Sequence, residues 1–201
     1  MNVIDAVHGQ YVFDRRVKVL AGHLAEVLPP EASVLDVGCG DGSLAYLVMQ
    51  RRPDIRIRGM DVLLRERTAI PVELFDGSRI SAEDNSYDAV MFVDVLHHTS
   101  DPMCLLREAC RVTRRHVVLK DHTRDGLLAG PTLRFMDRVG NLRFRVNLPY
   151  NYWTRRQWEE AFRELRLATE IWQSQLGLYP AWANWCFGRS LHFVTRARVT
   201  K

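Results

Sequence analysis

The chain of 201 residues amounts to one domain by the usual measure of ~150 residues, and 47% hydrophobic with 26% charged residues is the balance of a globular protein. Collagen, coiled-coil rod and wholly disordered chain are excluded. No apolar run approaches the ~18 residues that cross a bilayer, and MNVIDAVHG lacks the basic lead of a secretory signal, so a cytoplasmic protein with no transmembrane segment is expected.

From the N-terminus onward, helical and strand patterns alternate, which points to an α/β fold with a mostly parallel sheet. Asp14 to Leu28 places Val17, Leu20, Leu24 and Leu28 on one helical stripe, stopped by Pro29-Pro30. Ser33 to Val37 is a short buried strand running into the turn Gly38-Cys39-Gly40-Asp41-Gly42, and Ser43 to Arg51 is helix, ended before Pro53. Ile55 to Asp61, Val72 to Asp76 and Tyr87 to Val93 read as the next three strands. Asp101-Pro102 joins a capping side chain to proline at the first helical position, for a helix to about Val112. His116 to Lys120 is the fifth strand, Thr154 to Gln157 a capping box for a helix to Leu165, and Ala168 to Gln173 with Leu191 to Thr195 a closing strand pair. Between them Thr123 to Trp153 reads as irregular and too long for a simple connection, hence an insertion that acts as a lid.

Net charge is +4, and the segment from Arg134 to Arg166 alone holds eight arginines against four acids. A solvated arginine-rich surface is the favoured reading of that excess, with an anion or nucleic-acid face as the alternative. The four cysteines, Cys39, Cys104, Cys110 and Cys186, form no CxxC pair and no zinc spacing, so neither disulfide nor metal is expected.

The chemistry concentrates at VLDVGCGDG. Glycines let the backbone take positive φ and approach a ligand, and Asp61 ends the next strand at the spacing from Gly40 at which an acid reaches ribose hydroxyls. Asp36 stands just before the turn, where it would repel a pyrophosphate and receive an ammonium group. The ligand this favours has an amino-acid end, a ribose and a base. The ordered segments Asp36 to Gly42, Gly59-Met60-Asp61, Phe75-Asp76-Gly77, Asp84 to Asp88 and Val95-Leu96-His97-His98 resemble the motifs of class I S-adenosylmethionine-dependent methyltransferases, above all the small-molecule type found in quinone biosynthesis. That resemblance covers roughly Ser33 to Lys120.

It implies a Rossmann-like, doubly wound, mostly parallel seven-stranded sheet in a single domain over 1–201, with a helical lead-in over 1–30 and the insertion over 123–153. It further implies that Asp36 and the backbone of Gly38, Cys39 and Gly40 hold the methionine end of S-adenosylmethionine. Asp61 would take the ribose hydroxyls, Val62 would pack on the adenine, and Asp76 and the Gly77 N–H would meet the adenine edge. Asp94 and Val95 would lie near the methyl donor, and the segment from His8 to Arg16 could close over the cofactor. On the acceptor side the resemblance gives out. Lys120-Asp121-His122 and His98 stand on the same rim, with His122 the better candidate base, biased by Asp121, and His97 assigned a structural role. A small-molecule or lipid-like acceptor is expected. RNA methylation and a non-catalytic S-adenosylmethionine-binding accessory protein are the alternatives, the first weakened by the lack of any RNA-binding module.

Overall fold

The computed structural model describes the backbone of residues 3–141, 149–180, 183–184, 187–188 and 190–200, and the side chains of 15–138 and of the later described residues. Seven strands, β1 (Ser33–Val37), β2 (Arg56–Asp61), β3 (Val72–Leu74), β4 (Tyr87–Val93), β5 (Thr113–His122), β6 (Leu167–Gln173) and β7 (His192–Val199), form one sheet in the order β3-β2-β1-β4-β5-β7-β6. The first five pair in parallel, and β7 runs antiparallel between β5 and β6.

Strand side chains alternate between two cores, as period-two patterning requires. Val34, Ala89, Met91, Val118 and Val194 face α1 (Val3–Val27) and α2 (Ser43–Arg51). Leu35, Val90, Phe92, Val117, Leu119 and Phe193 face α3 (Pro102–Val112) and α5 (Arg155–Glu164). The caps form as the sequence asks: Asp101 accepts from Cys104 N, and Thr154 and Gln157 make a reciprocal capping box. Strand order reverses between β1 and β4, and the crevice beyond their carboxyl ends is where open α/β sheets take ligands.

Several element boundaries differ from the sequence reading. α1 begins at Val3, not Asp14. β3 ends at Leu74, because Asp76 Oδ1 accepts from Ser78 N and Arg79 N and folds the chain into a tight turn. β5 runs on through Asp121 and His122, which pair with Phe193 and His192 of β7, itself extending to Val199. The insertion is not irregular throughout: α4 (Ala129–Asn141) occupies it, burying Ala129 and Leu133 against Tyr152 and Leu191. Pro131 is no obstacle there, since it falls in the first turn, where a missing N–H loses no helical bond. Arg143 and Arg145 lie outside the described residues, as do Trp182, Trp185 and Cys186. On α5, Arg155 and Arg156 pair with Glu159 and Glu160 one turn on, at 2.7 and 2.8 Å. Among the described residues no helix is long and apolar enough to cross a membrane.

Candidate active site

The glycine turn leaves β1 at the strand-order reversal with Gly38, Gly40 and Gly42 at φ +77°, +61° and +74°. A Cβ on Gly38 would stand 2.5 Å from Val95 Cγ2, so the turn and the start of the loop after β4 touch across the crevice. A Cβ on Gly59 would likewise stand 2.3 Å from the Cys39 sulfur, and burial with the nearby Asp36 pushes that thiol up to about 12. Cys39 is thus a neutral packing group.

The N–H groups of the turn's first three residues are already engaged. Gly38 N and Cys39 N donate to Met60 O at 2.7 and 3.1 Å, and Gly40 N donates to Asp61 Oδ2 at 2.7 Å. What the turn offers a ligand is therefore acceptors. Asp36 is 3% exposed, its Oδ1 has no partner, and burial together with Asp61 lifts its carboxyl to about 7. A pyrophosphate needs the N–H groups that are taken, whereas an ammonium fits the bare carboxylate. Asp61 accepts one bond on each oxygen, the second from Leu63 N at 2.9 Å, which fixes its orientation and leaves further lone pairs for hydroxyls. Val62 is exposed beside Gly77, and Asp76 is exposed with Oδ1 held by its own turn, so Oδ2 is the oxygen left to face a ligand.

The second half of the site is a polar knot at the ends of β4 and β5. Asp94, at φ +57°, accepts from the fully buried Lys120 ammonium and, at 2.8 Å, from Arg16 of α1. Burial opposes its charge, but Lys120 and Arg16 outweigh that and hold Asp94 well below the carboxylate range. Its carboxylate is thus taken by two cations, and it ties α1 to the sheet. Val95, as noted, packs on Gly38.

His122 is buried between the His97 and His192 rings, with Nδ1 3.3 Å from Asp121 Oδ1 and 3.6 Å from Asp94 Oδ1. Burial and then Lys120 keep it neutral, well below the usual histidine range. Asp121 is shared: its Oδ1 also lies 2.6 Å from His97 Nδ1. Burial works against a charge on His97, yet Asp121 and Asp137 prevail and raise it to about 10. Tyr152 donates to Asp137. His98, half-buried, is lowered by burial and by the adjacent His97 ring, 3.9 Å away.

Sequence pattern brought together Asp36, the glycines and Asp61, and further along the same rim Asp121, His122 and His98. It did not single out Asp137 or His192, and it gave His97 only a structural part. Their partners lie far off in sequence, and only the packing of α4 and β7 delivers them. His192 also borders a cleft of about 630 Å³ lined by Leu176, Leu178, Tyr179, Asn184 and Ser190.

A family model described as a methyltransferase domain matches residues 8–169. A 27-O-demethylrifamycin SV methyltransferase from Amycolatopsis mediterranei is 30% identical over 110 residues, which are 47% of this chain and 40% of that protein. The chain spans less than half the length of the curated relatives it matches. Among solved structures, a Haloferax volcanii methyltransferase in complex with the Trm112 methyltransferase activator superposes with a TM-score of 0.71 at 16% identity, covering 100% of this chain and 99% of that one. Geranyl diphosphate C-methyltransferase from Streptomyces coelicolor, solved with Mg2+, a thiolodiphosphate and S-adenosyl-L-homocysteine, gives 0.64 at 13% identity, over 90% and 75% of the two chains.

Proposed function

Because the chain belongs to the methyltransferase-domain family, we propose that it moves a methyl group from S-adenosylmethionine to a hydroxyl of a small molecule held on the rim of β4 and β5. The observation that carries this reading is the acceptor-lined turn, with Asp36 bare and Asp61 two-handed at the strand-order reversal. Asp36 suits the ammonium of the methionine end, Asp61 the ribose hydroxyls, and Val62 with Asp76 and Gly77 the adenine. Bound there, S-adenosylmethionine supplies an electrophilic sulfonium methyl. The chain's own residues orient the partners, exclude water and take the acceptor's proton. His122, neutral and held by Asp121, is the group for that last task, and a positioned base contributes typically 10²–10⁴ in rate. The cleft beside His192 lies within the ~300–1,000 Å³ of small-molecule sites. The rifamycin relative acts on a small molecule as well.

The test is turnover of S-adenosylmethionine to its demethylated product across a panel of hydroxylated small molecules. His122→Ala is expected to lower kcat by roughly 10²-fold or more with cofactor affinity unchanged. A rise in acceptor KM alone would make His122 a positioning residue, and no turnover with any acceptor class would count against the whole reading.

Asp36 gives a separate expectation. Its carboxyl sits near 7 when the site holds no cation, and an arriving ammonium favours the ionised form. Binding between pH 6 and 7 should therefore release a proton, and affinity should fall as pH drops through that window. Calorimetry at one pH in two buffers of different ionisation enthalpy reads the proton count. The release should vanish in Asp36→Asn, and equal release in both proteins would remove Asp36 from the ammonium site.

A further inference from the structure

One buried imidazole nitrogen on the rim has no partner, and a second meets only a carboxylate at the edge of hydrogen-bond reach. His97 is 1% exposed, and its Nε2 makes no hydrogen bond, standing 3.4 Å from Asp137 Oδ2. His98 Nδ1 is likewise buried and without a partner. One donor atom from each of His97, His98 and Asp137 lies within 4.8 Å of the other two. An unpaired buried polar atom is costly, so the bare His98 nitrogen and the stretched His97 contact beside one carboxylate are a structural expense that a ligand would remove.

We propose that His97, His98 and Asp137 form a binding site for one first-row divalent metal ion of the zinc class. The donor set decides the class: two imidazoles and one carboxylate suit zinc, cobalt, nickel or iron, whereas magnesium and calcium take mainly oxygen. Beyond the donors stands the support such sites require. A ligating histidine donates its other N–H to a carboxylate, which fixes the tautomer and raises its basicity, and His97 Nδ1 lies 2.6 Å from Asp121 Oδ1. Asp137 in turn receives the Tyr152 hydroxyl. The ion would replace the proton that His97 otherwise holds between two carboxylates. It would join α4 to the short helical turn Leu96–His98, which makes it a clasp between the insertion and the sheet. Three protein ligands leave at least one coordination position open. The methyl-transfer reading places the acceptor on the same rim, and the ion's use by an acceptor oxygen rests on that reading. The metal site itself does not. The assignment makes His98 a ligand in place of a proton acceptor.

The experiment uses chelator-treated full-length protein without cofactor or acceptor, titrated with Co2+ and followed by its visible d–d bands, then displaced by Zn2+. One ion per chain is expected, with bands of four- or five-coordinate cobalt. His98→Ala and Asp137→Asn should each weaken binding on the order of 100-fold, and Tyr152→Phe about 10-fold, the range for groups that support ligands. Circular dichroism verifies that each variant is folded, and Tyr152→Phe, the mildest, keeps the test alive if the others are not. His23→Ala, a histidine that contacts Leu176 O on the α1 side, should bind cobalt unchanged. No stoichiometric binding, or binding equally tight in all the variants, overturns the site. Because the readout is spectroscopic and omits methyl transfer, a failure here leaves the methyltransferase reading standing, and the reverse also holds.

Discussion

Gly38→Ala should all but abolish S-adenosylmethionine binding and destabilise the fold together. The added methyl would meet Val95 Cγ2 at 2.5 Å and Cγ1 at 3.1 Å, and the backbone at φ +77° is one that alanine rarely adopts. The left-handed backbone costs roughly 1–2 kcal/mol for a residue with a Cβ, and overpacking a filled contact adds about 1–3 kcal/mol. Valine has little rotamer freedom with which to retreat. Relief requires the turn to back away, and that breaks the Gly38 N to Met60 O and Gly40 N to Asp61 bonds that orient the acceptors. The two contributions separate in a double variant. Val95→Ala in the Gly38→Ala background removes the clash and leaves the φ cost, so urea unfolding should recover the overpacking share only, while cofactor affinity measured by calorimetry returns in part. Wild-type affinity and stability in Gly38→Ala alone would show that the turn tolerates a side chain and is not a tight cradle.

The parts of this site that sequence made legible are those in which one local pattern serves one local geometry. Val34 to Val37 alternates between two cores and then meets glycines at positive φ, so strand, turn and helix all read correctly. Asp36 and Asp61 were legible because adjacent parallel strands bring their ends side by side, and β1 and β2 pair Val37 with Met60. The polar knot was not legible to the same degree. Lys120, Asp121 and His122 read as the end of a strand, since three polar residues do not ordinarily continue a buried one. They continue here because partners from other elements meet them: Lys120 bonds Asp94, Asp121 Oδ1 meets His97, and β7 completes the ladder. Nothing local to His97 signals that a carboxylate 40 residues on will face it, because Asp137 arrives on a helix whose Gly130, Pro131 and Gly140 look like breakers. The N–H inventory of the turn is a further case. Glycine-rich turns ordinarily offer donors, but here Met60 O and Asp61 take the N–H groups of Gly38, Cys39 and Gly40, and the preference of that end of the site for a cation follows from the acceptors that remain.

Lys120→Met should be strongly destabilising, and it should be largely repaired by a second change at its partner. Lys120 is fully buried in β5, and its ammonium meets Asp94, with His192 Nδ1 3.4 Å away. Burial lowers its proton affinity and Asp94 restores part of it, so each charge stands largely because the other is there. Removing one member of a buried pair costs about 3–5 kcal/mol, since the other charge is left in low dielectric, whereas replacing both members is often close to neutral. Asp94 keeps Arg16 at 2.8 Å and its side chain is 25% exposed, so the single change should fall near the lower end, about 3 kcal/mol. Asp94→Asn is the suitable partner change, because asparagine tolerates the φ of +57° at that position. Urea unfolding of the wild type, both single variants and the double variant closes a double-mutant cycle. The expected result is that the double variant is more stable than Lys120→Met alone. If the two single effects simply add, Lys120 and Asp94 do not depend on one another, and the tie between α1, β4 and β5 must be carried by Arg16 and the surrounding apolar packing instead.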